Sequence, residues 1–427
     1  MEALILTAGK ATRLYPLTKT IPKPLIPIAG KPLLCHILDT LSESENINRV
    51  VIVIGHKADL IKQTINQINY PFEISWVTQQ EQRGTGHAVK ICEKYIESDP
   101  FFMMYGDIFT SQQTIKDIIT LGQSDDLSGG VFSTKKVKNP EKYGCLEIID
   151  DKLVKILEKH PDPPSAYINA GMMVLPLTIF NYLNHTSKSS RGEIELTEGL
   201  NQLIQNQKKF FFSIYYIKDH WIDIGYPWNL LTANEVGMQK IEFPPVSPPS
   251  SAVTIEGPIK LADSATLRAG TFIQGPVIID ENVTVGPNCF LRPNTYLGNN
   301  VRVGNAVEIK NSVILNNTTI GHLSYVGDSI IGRDCNFGAG TKVANLRLDN
   351  NEISMSVKGE QIPTGRRKLG VFMGDNVKTG INVSLMPGIT IGENSRIGAH
   401  TLINQDIPPN TIIYHDPIKG LIQKHLE

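Results

Sequence analysis

Between Ile255 and Val303 an aliphatic residue occupies every sixth position: Ile255, Leu261, Leu267, Ile273, Ile279, Val285, Leu291, Leu297 and Val303. An α-helix repeats every 3.6 residues and a half-buried strand every two, so neither produces this pattern. A six-residue period predicts a parallel β-helix of hexapeptide repeats, with the aliphatic side chains stacked inward as ladders. The spacing shortens to five twice, giving inward positions at Leu315, Ile320, Val326, Ile331, Phe337 and Val343. It breaks over residues 346–367, read as a loop leaving the coil, and resumes at Leu385, Ile391, Ile397 and Ile403. Gly and Asn recur where the corners would fall, as residues that tolerate positive φ. A β-sandwich, the alternative for this half, would alternate at period two.

The first half follows another rule. Apolar runs at 3–6, 50–54, 72–77 and 101–105 read as strands, and amphipathic stretches at 33–41, 58–68 and 87–96 as helices. Such alternation predicts a mostly parallel sheet, whose ligands bind beyond the carboxyl ends of the strands. Four prolines within residues 243–251 predict a linker. The expected domains are 1–241, a linker at 242–254, the coil at 255–410 and a tail at 411–427.

Composition narrows the function. A net charge of −1 supplies no field for nucleic acid or an anionic membrane. No apolar run reaches the ~18 residues of a membrane span. The first residues lack the basic start of a signal peptide, so a cytoplasmic protein is expected. The five cysteines are scattered without a CxxC pair, which predicts buried small residues rather than a metal site or disulfides.

The chemistry-bearing residues of the first half follow the predicted strands. After the first comes Thr7-Ala8-Gly9-Lys10-Ala11-Thr12-Arg13, then Pro22-Lys23-Pro24. Small residues such as Ala8 and Gly9 let backbone N–H groups approach phosphate, and Arg13 and Lys23 add the cations a triphosphate needs. Further on stand Gln79 with Gly84-Thr85-Gly86-His87-Ala88, Met104-Tyr105-Gly106-Asp107, and Trp221-Ile222-Asp223-Ile224-Gly225. Together these resemble the signatures of sugar-1-phosphate nucleotidylyltransferases, with a departure at Ala11, where that family usually has Gly. The resemblance implies that Gln79, Gly84 and Thr85 read a pyrimidine, that Asp107 and Asp223 hold Mg²⁺, and that Gly144, Glu158 and Asn169 line the sugar. The sugar phosphate would attack the α-phosphorus and pyrophosphate would leave, with Arg13 and Lys23 neutralising charge.

The coil carries Val307-Glu308-Ile309-Lys310-Asn311, then Gly321-His322-Leu323-Ser324-Tyr325-Val326-Gly327-Asp328, then Asn336, Ala339, Ala344 and Asn345. This run resembles the acetyltransferase half of the bacterial bifunctional uridylyltransferase/glucosamine-1-phosphate acetyltransferase, and the whole chain resembles archaeal-type bifunctional enzymes of that kind. The resemblance implies an α/β protein, with an N-terminal Rossmann-like nucleotidyltransferase domain plus a C-terminal left-handed parallel β-helix. It makes His322 the general base towards a sugar amine, a task suited to imidazole. Arg292 and Lys310 would hold the sugar phosphate, and Tyr325, Asn336 and Asn345 the sugar and its amine. Acetyl-CoA would lie at Ala339 and Ala399. It also implies a homotrimer with sites between adjacent coils, and UTP or dTTP, sugar 1-phosphates and acetyl-CoA as reactants. The 346–367 segment, with Arg366-Arg367-Lys368, would reach a neighbour or the coenzyme, or stay solvated. The competing reading is a single-activity nucleotidylyltransferase with a structural or regulatory coil. Glucose against N-acetylglucosamine, gluco against galacto amino sugars, and UTP against dTTP stay open.

Overall fold

A computed structural model describes residues 1–44, 46–124, 129–189, 191–206 and 210–426. Glu427, the end of the expected tail, lies outside the described residues. The chain forms two compact units. The first gathers Met1–Lys10, Pro22–Ile26 and Pro32–Asp223, and the second Ala11–Ile21, Pro27–Lys31 and Ile224–Glu427. A boundary by chain position at 241 and this division by contacts therefore place residues 11–21, 27–31 and 224–241 differently.

In the first unit the strands are β1 (Glu2–Leu6), β2 (Arg49–Ile54), β3 (Glu73–Thr78), β4 (Phe101–Tyr105), β5 (Ile108–Thr110), β6 (Gly130–Lys136), β7 (Gly144–Ile149), β8 (Lys152–Glu158), β9 (Tyr167–Leu175), β10 (Phe212–Tyr216) and β11 (Trp221–Asp223). The helices are α1 (Leu33–Ser42), α2 (Ala58–Ile65), α3 (Thr85–Lys90), α4 (Gln112–Gly122), α5 (Ile179–His185) and α6 (Leu196–Asn206). Nine strands form one sheet in the order β3-β2-β1-β4-β9-β6-β10-β8-β7. The four strands foreseen from apolar runs are its parallel half. The rest is mixed, not mostly parallel, because β9 runs against β4 and β6 and β8 against β7 and β10. The cause is local at β7–β8. Asp150 and Asp151 both take positive φ, and such a two-residue turn closes only an antiparallel hairpin. β5 and β11 pair separately as a two-stranded ribbon.

The second unit contains α7 (Pro227–Lys240) and the coil. Sheets of eight, seven and nine strands form the three sides, all parallel except the last strand of the nine. One ladder runs Ile255–Ile273–Leu291–Ile309–Val326, and the core is almost wholly aliphatic. Burying each such side chain contributes about 1.5–3 kcal/mol, repeated at every rung, which is why the period is so regular. The inward residue at the first short step is Ile314, not Leu315. Ile314 lies in the coil core and pairs with Ile331 one turn on. With two adjacent aliphatics the pattern alone does not choose the register; stacking does. The short steps are therefore Ile309 to Ile314 and Val326 to Ile331. The corners report the same slips. Positive φ falls at Asn282, Asn288, Asn294, Asn300 and Ala306, then five residues later at Asn311, and again five residues after Leu323 at Asp328.

The 346–367 segment is not a plain loop. Ile353–Val357 and Glu360–Arg366 form an antiparallel hairpin, with Ile353, Met355 and Val357 buried. In the tail, Thr411–Asp416 pairs with Arg396–Ile397, Ile413 joins the coil core, and Gly420–His425 folds back antiparallel. All five cysteines are buried, and none is in a disulfide. No helix among the described residues is long and apolar enough to cross a membrane.

Candidate active sites

The parallel half of the sheet delivers β1, β3 and β4 to one edge, and Ala8 and Gly9, Gln79 with Gly84 and Thr85, and Asp107 follow their carboxyl ends. Gly106 is required there. A Cβ on it would lie 2.5 Å from Thr7 Cγ2, so its absence lets the turn carrying Asp107 close on the Thr7-Ala8-Gly9 loop. A Cβ on Gly9 would meet nothing within 4 Å, leaving its backbone open to a ligand. Gln82 Nε2 donates to Ala8 O at 2.7 Å. Lys23 Nζ, largely buried, pairs with Asp107 Oδ2 at 2.8 Å. Asp223 lies opposite Ile108 on the β5–β11 ribbon, one register position from Asp107. The structure thus brings Lys23, Asp107 and Asp223 into one neighbourhood.

Gln79 is buried, 5% exposed. Its Nε2 donates to Gly84 O at 3.1 Å and meets His87 Nδ1 at 3.0 Å, so Nδ1 acts as the acceptor. Burial, with Arg83 and Lys90 adding to it, lowers the His87 pKa below its usual range and keeps that acceptor unprotonated. His87 stood inside a quoted motif without an assigned part. Gly84, at φ +101°, faces Ile194 so closely that a Cβ would lie 2.5 Å from the Ile194 carbonyl oxygen. Thr85 Oγ1 accepts from Leu196 N at 3.3 Å.

Gly144, Glu158 and Asn169 also converge. A Cβ on Gly144 would sit 2.9 Å from Glu158 Oε2 and 3.7 Å from Asn169 Cβ. Burial raises the Tyr105 pKa, with Glu158 adding to it and Asn169 opposing it. Burial raises the Glu158 pKa, Arg191 and Lys159 oppose that, and Glu195 adds to it; Arg191 Nη2 lies 3.6 Å away.

Arg13 belongs to the second unit. It sits in a 3₁₀ turn, Thr12–Leu14, preceded by Ala11 at φ 49°, ψ 45°. Ala11, standing where the resembled family has Gly, does adopt the left-handed conformation that Gly favours. The Arg13 guanidinium lies 5.1 Å from the Tyr226 ring centroid, and Tyr226 stacks on Trp228.

On the coil, residues one turn apart line up in columns. Asn305 stands beside His322, Gly340 N donates to His322 O, Asn382 N to Ala339 O and His400 N to Ile381 O. His322, Ala339 and Ala399 therefore follow one corner. Exposed His322 ends its strand, and Leu323 beside it holds φ 51°, a strained state for a bulky side chain. Tyr325 lies on the next face. Its hydroxyl accepts from Asn345 Nδ2 at 3.1 Å, and the same nitrogen donates to Asp328 Oδ2 at 2.5 Å. Asp328, 2% exposed, also accepts from Asn311 Nδ2 at 2.7 Å and stands 3.5 Å from Lys310 Nζ. Arg292 pairs with Glu308 at 2.9 Å. Burial raises the Tyr325 pKa, reinforced by Asp328 and Glu308, so Tyr325 stays a neutral hydroxyl. Lys310, Tyr325 and Asn345 thus meet around Asp328. Asn336 stands apart within this chain, pairing with Thr319 and Lys378 on the preceding face. Asp328 and Asn311 went unassigned, although a signal existed: Asn311, Asp328 and Asn345 are spaced by 17 residues, one turn each. Arg366 bonds Thr232 and Glu235 of α7, so the basic run is partly engaged inside the chain.

Comparison with known proteins covers both halves. The family model for nucleotidyl transferases matches residues 2–239. The model of the GMPPB C-terminal domain matches 273–369, and the bacterial transferase hexapeptide model (six repeats) matches 370–405. The chain is 42% identical over 417 residues to the bifunctional protein GlmU of Methanococcus maripaludis strain C7, with 97% of each chain covered. It is 40% identical over 412 residues to a bifunctional sugar-1-phosphate nucleotidylyltransferase/acetyltransferase of Sulfurisphaera tokodaii, covering 95% of this chain and 98% of that one. Among solved structures, a UDP-glucose pyrophosphorylase complexed with UDP-glucose superposes with a TM-score of 0.50 at 24% identity, over 56% of this chain and 99% of the other, a likeness of fold.

Proposed function

Because the chain belongs to the GlmU-type family of bifunctional sugar-1-phosphate nucleotidylyltransferases/acetyltransferases, we propose that it acetylates an amino-sugar 1-phosphate on the coil and joins the product to a nucleotide at the sheet. The reactants are glucosamine 1-phosphate (or its galacto isomer) with acetyl-CoA, then N-acetylglucosamine 1-phosphate or glucose 1-phosphate with UTP or dTTP. All are soluble phosphates, consistent with work in the cytoplasm.

On the coil, His322 takes a proton from the sugar amine as its nitrogen attacks the thioester carbonyl. The C–N bond forms, the C–S bond breaks, and the coenzyme leaves as a thiol after protonation. Lys310 and Arg292 hold the phosphate, and Tyr325 and Asn345 the sugar. Ala339 and Ala399 continue the His322 corner, an open track for the coenzyme. Asn336 shares the sheet of the His322 strand but lies away from Tyr325 and Asn345, and in a homotrimer a neighbouring coil would complete the site.

At the sheet, a sugar-phosphate oxygen bonds to the α-phosphorus and pyrophosphate departs. Arg13 and Lys23 offset phosphate charge, Gln79 with Gly84 and Thr85 orients the base, and Gly144, Glu158 and Asn169 hold the sugar. Asp107 and Asp223 fit Mg²⁺. Two carboxylate positions side by side supply part of an octahedron and leave the rest to phosphate and water. Bound there, Mg²⁺ would neutralise phosphate charge.

The observation that carries this reading is the set of polar columns on the coil, which a purely structural prism does not need. The test is a panel of sugar 1-phosphates against UTP and dTTP, with and without acetyl-CoA, reading thiol and pyrophosphate release separately. Thiol release absent for every amino sugar would leave the single-activity reading. Light scattering tests the trimer, and a monomer mass would exclude it.

A further inference from the structure

The second unit holds a contact that neither proposed reaction uses. Glu235 lies on α7, inside the stretch matched by the nucleotidyl transferase model. Its Oε1 accepts from Asn311 Nδ2 at 2.7 Å. The same nitrogen donates at 2.7 Å to Asp328 Oδ1, and Asp328 is the buried carboxylate around which Lys310, Tyr325 and Asn345 gather. From the hairpin, Arg366 bonds Glu235 with one nitrogen and Thr232 Oγ1 with the other at 2.9 Å. Thr232 and Glu235 share a helix face through their three-residue spacing. Glu235 and Arg366 are only 25% and 17% exposed.

We propose that Glu235 is a positioning residue for the acetyltransferase site, acting through Asn311 and Asp328. The idea rests on the reading of that site given above. The two hydrogens on Asn311 Nδ2 serve two carboxylates, so a flipped amide would turn its oxygen towards two anions. Two acceptors therefore fix the amide, while Asn311 Oδ1 is buried with no hydrogen-bond partner among the described residues. Remove Glu235 and the flip loses one of its two opponents, while the buried oxygen gains a reason to turn. Asp328 then loses a donor. A buried carboxylate must be compensated, and the nearest cation is Lys310 at 3.5 Å. An ammonium drawn tightly onto Asp328 has less charge to offer a sugar phosphate. The two short corner steps end at Asn311 and Asp328, which stack one turn apart and hydrogen-bond.

The experiment measures steady-state acetyl transfer by the full chain with glucosamine 1-phosphate and acetyl-CoA as probes. The variants are Glu235→Ala, Glu235→Gln and Lys310→Ala, with exposed Lys240→Ala at the end of α7 as a control, and melting temperature reports the fold. Glu235→Ala should raise KM for the sugar phosphate about tenfold, the scale of one charge-assisted hydrogen bond. It should leave KM for acetyl-CoA unchanged and move kcat much less. Glu235→Gln keeps an acceptor for Asn311 and should recover part of the loss. Lys240→Ala should behave as the parent. If Lys310→Ala raises KM and neither Glu235 variant does, Glu235 does not position the site. If Lys310→Ala also changes nothing, the assignment of the site itself fails. A folding defect in Glu235→Ala leaves the decision with Glu235→Gln, whose normal KM at normal melting temperature would overturn the proposal.

Discussion

The two proposed sites are assembled in opposite ways. At the sheet, Gln79, Asp107 and Asp223 are distant in sequence and reach one edge because parallel strands end together and the β5–β11 ribbon folds beside them. On the coil the neighbours follow by arithmetic, since one turn of 17 residues stacks Ala339 on the His322 corner and Asn345 on Asp328 at the next. A sheet site tolerates a change of loop length, because each strand end is placed by the sheet. A coil site tolerates it only at the corners, where the two five-residue steps and the 353–366 hairpin fall and the ladders resume above them; within a face, one residue more or less turns inward side chains outward. Both place a left-handed residue near the proposed catalytic side chain: Ala11 two residues before Arg13, and Leu323 directly after His322.

If the sites are independent, His322→Ala should lower thiol release by about 10²–10⁴-fold, the range for a lost general base, and spare pyrophosphate release. Equal loss of both would merge the two sites into one. In the converse direction, Lys23→Ala or Asp223→Ala should cost on the order of 10²–10³ in Mg²⁺-dependent pyrophosphate release and leave thiol release intact. Full activity of the Asp223 variant would remove it as a metal ligand.

The pH responses should also separate. His87 accepts from Gln79 only while unprotonated, and its pKa is held below the ordinary 6.5 by burial and nearby cations. KM for the nucleotide should therefore rise as pH falls well below 6.5, while acetyl transfer loses no sugar affinity through this pair. A flat nucleotide KM across that window would show that the Gln79–His87 pair does not orient the base. Glu158 has the reverse sign. Its folded pKa is raised above 4.5 by burial, so its stabilising contribution exists below 4.5 and disappears as pH rises through the folded value. Glu158→Gln should then weaken sugar binding yet raise the melting temperature at neutral pH, with the gain fading in acid. A neutral-pH melting temperature below the parent's would refute that sign.

The smallest effects concern the strained corners. Ala11→Gly and Leu323→Asn each relieve a left-handed residue, worth about 1 kcal/mol before the entropy of the unfolded chain is counted. Denaturant midpoints would show it. A loss of stability at Leu323→Asn would mean that the exposed leucine makes a contact outweighing its strain.

Much of this was legible in the residues. The hexad period reports burial at every rung, and the motifs of the first half carry their chemistry in adjacent residues. The mixed half of the sheet was not, because β7 and β8 are placed by the Asp150-Asp151 turn, and the apolar run of β9 does not by itself set its antiparallel direction, which comes from pairing across the sheet. Nor was the hairpin at 353–366, whose buried Ile353, Met355 and Val357 alternate over too few residues to stand out from a polar insertion.

The sequence by itself determined the prism, its interruption and the identity of the groups able to do chemistry, since periodic burial and reactive side chains are properties of single positions. Only the tertiary structure decided the register at the short steps, because Ile314 and Leu315 satisfy hydrophobicity equally and stacking on Ile331 breaks the tie. It also decided which polar residues act together. Asp328, Asn311 and Glu235 are one hydrogen-bonded group because a buried carboxylate must find donors, and the donors it found come from successive turns of the coil, one of them shared with a helix 76 residues before Asn311 in the chain.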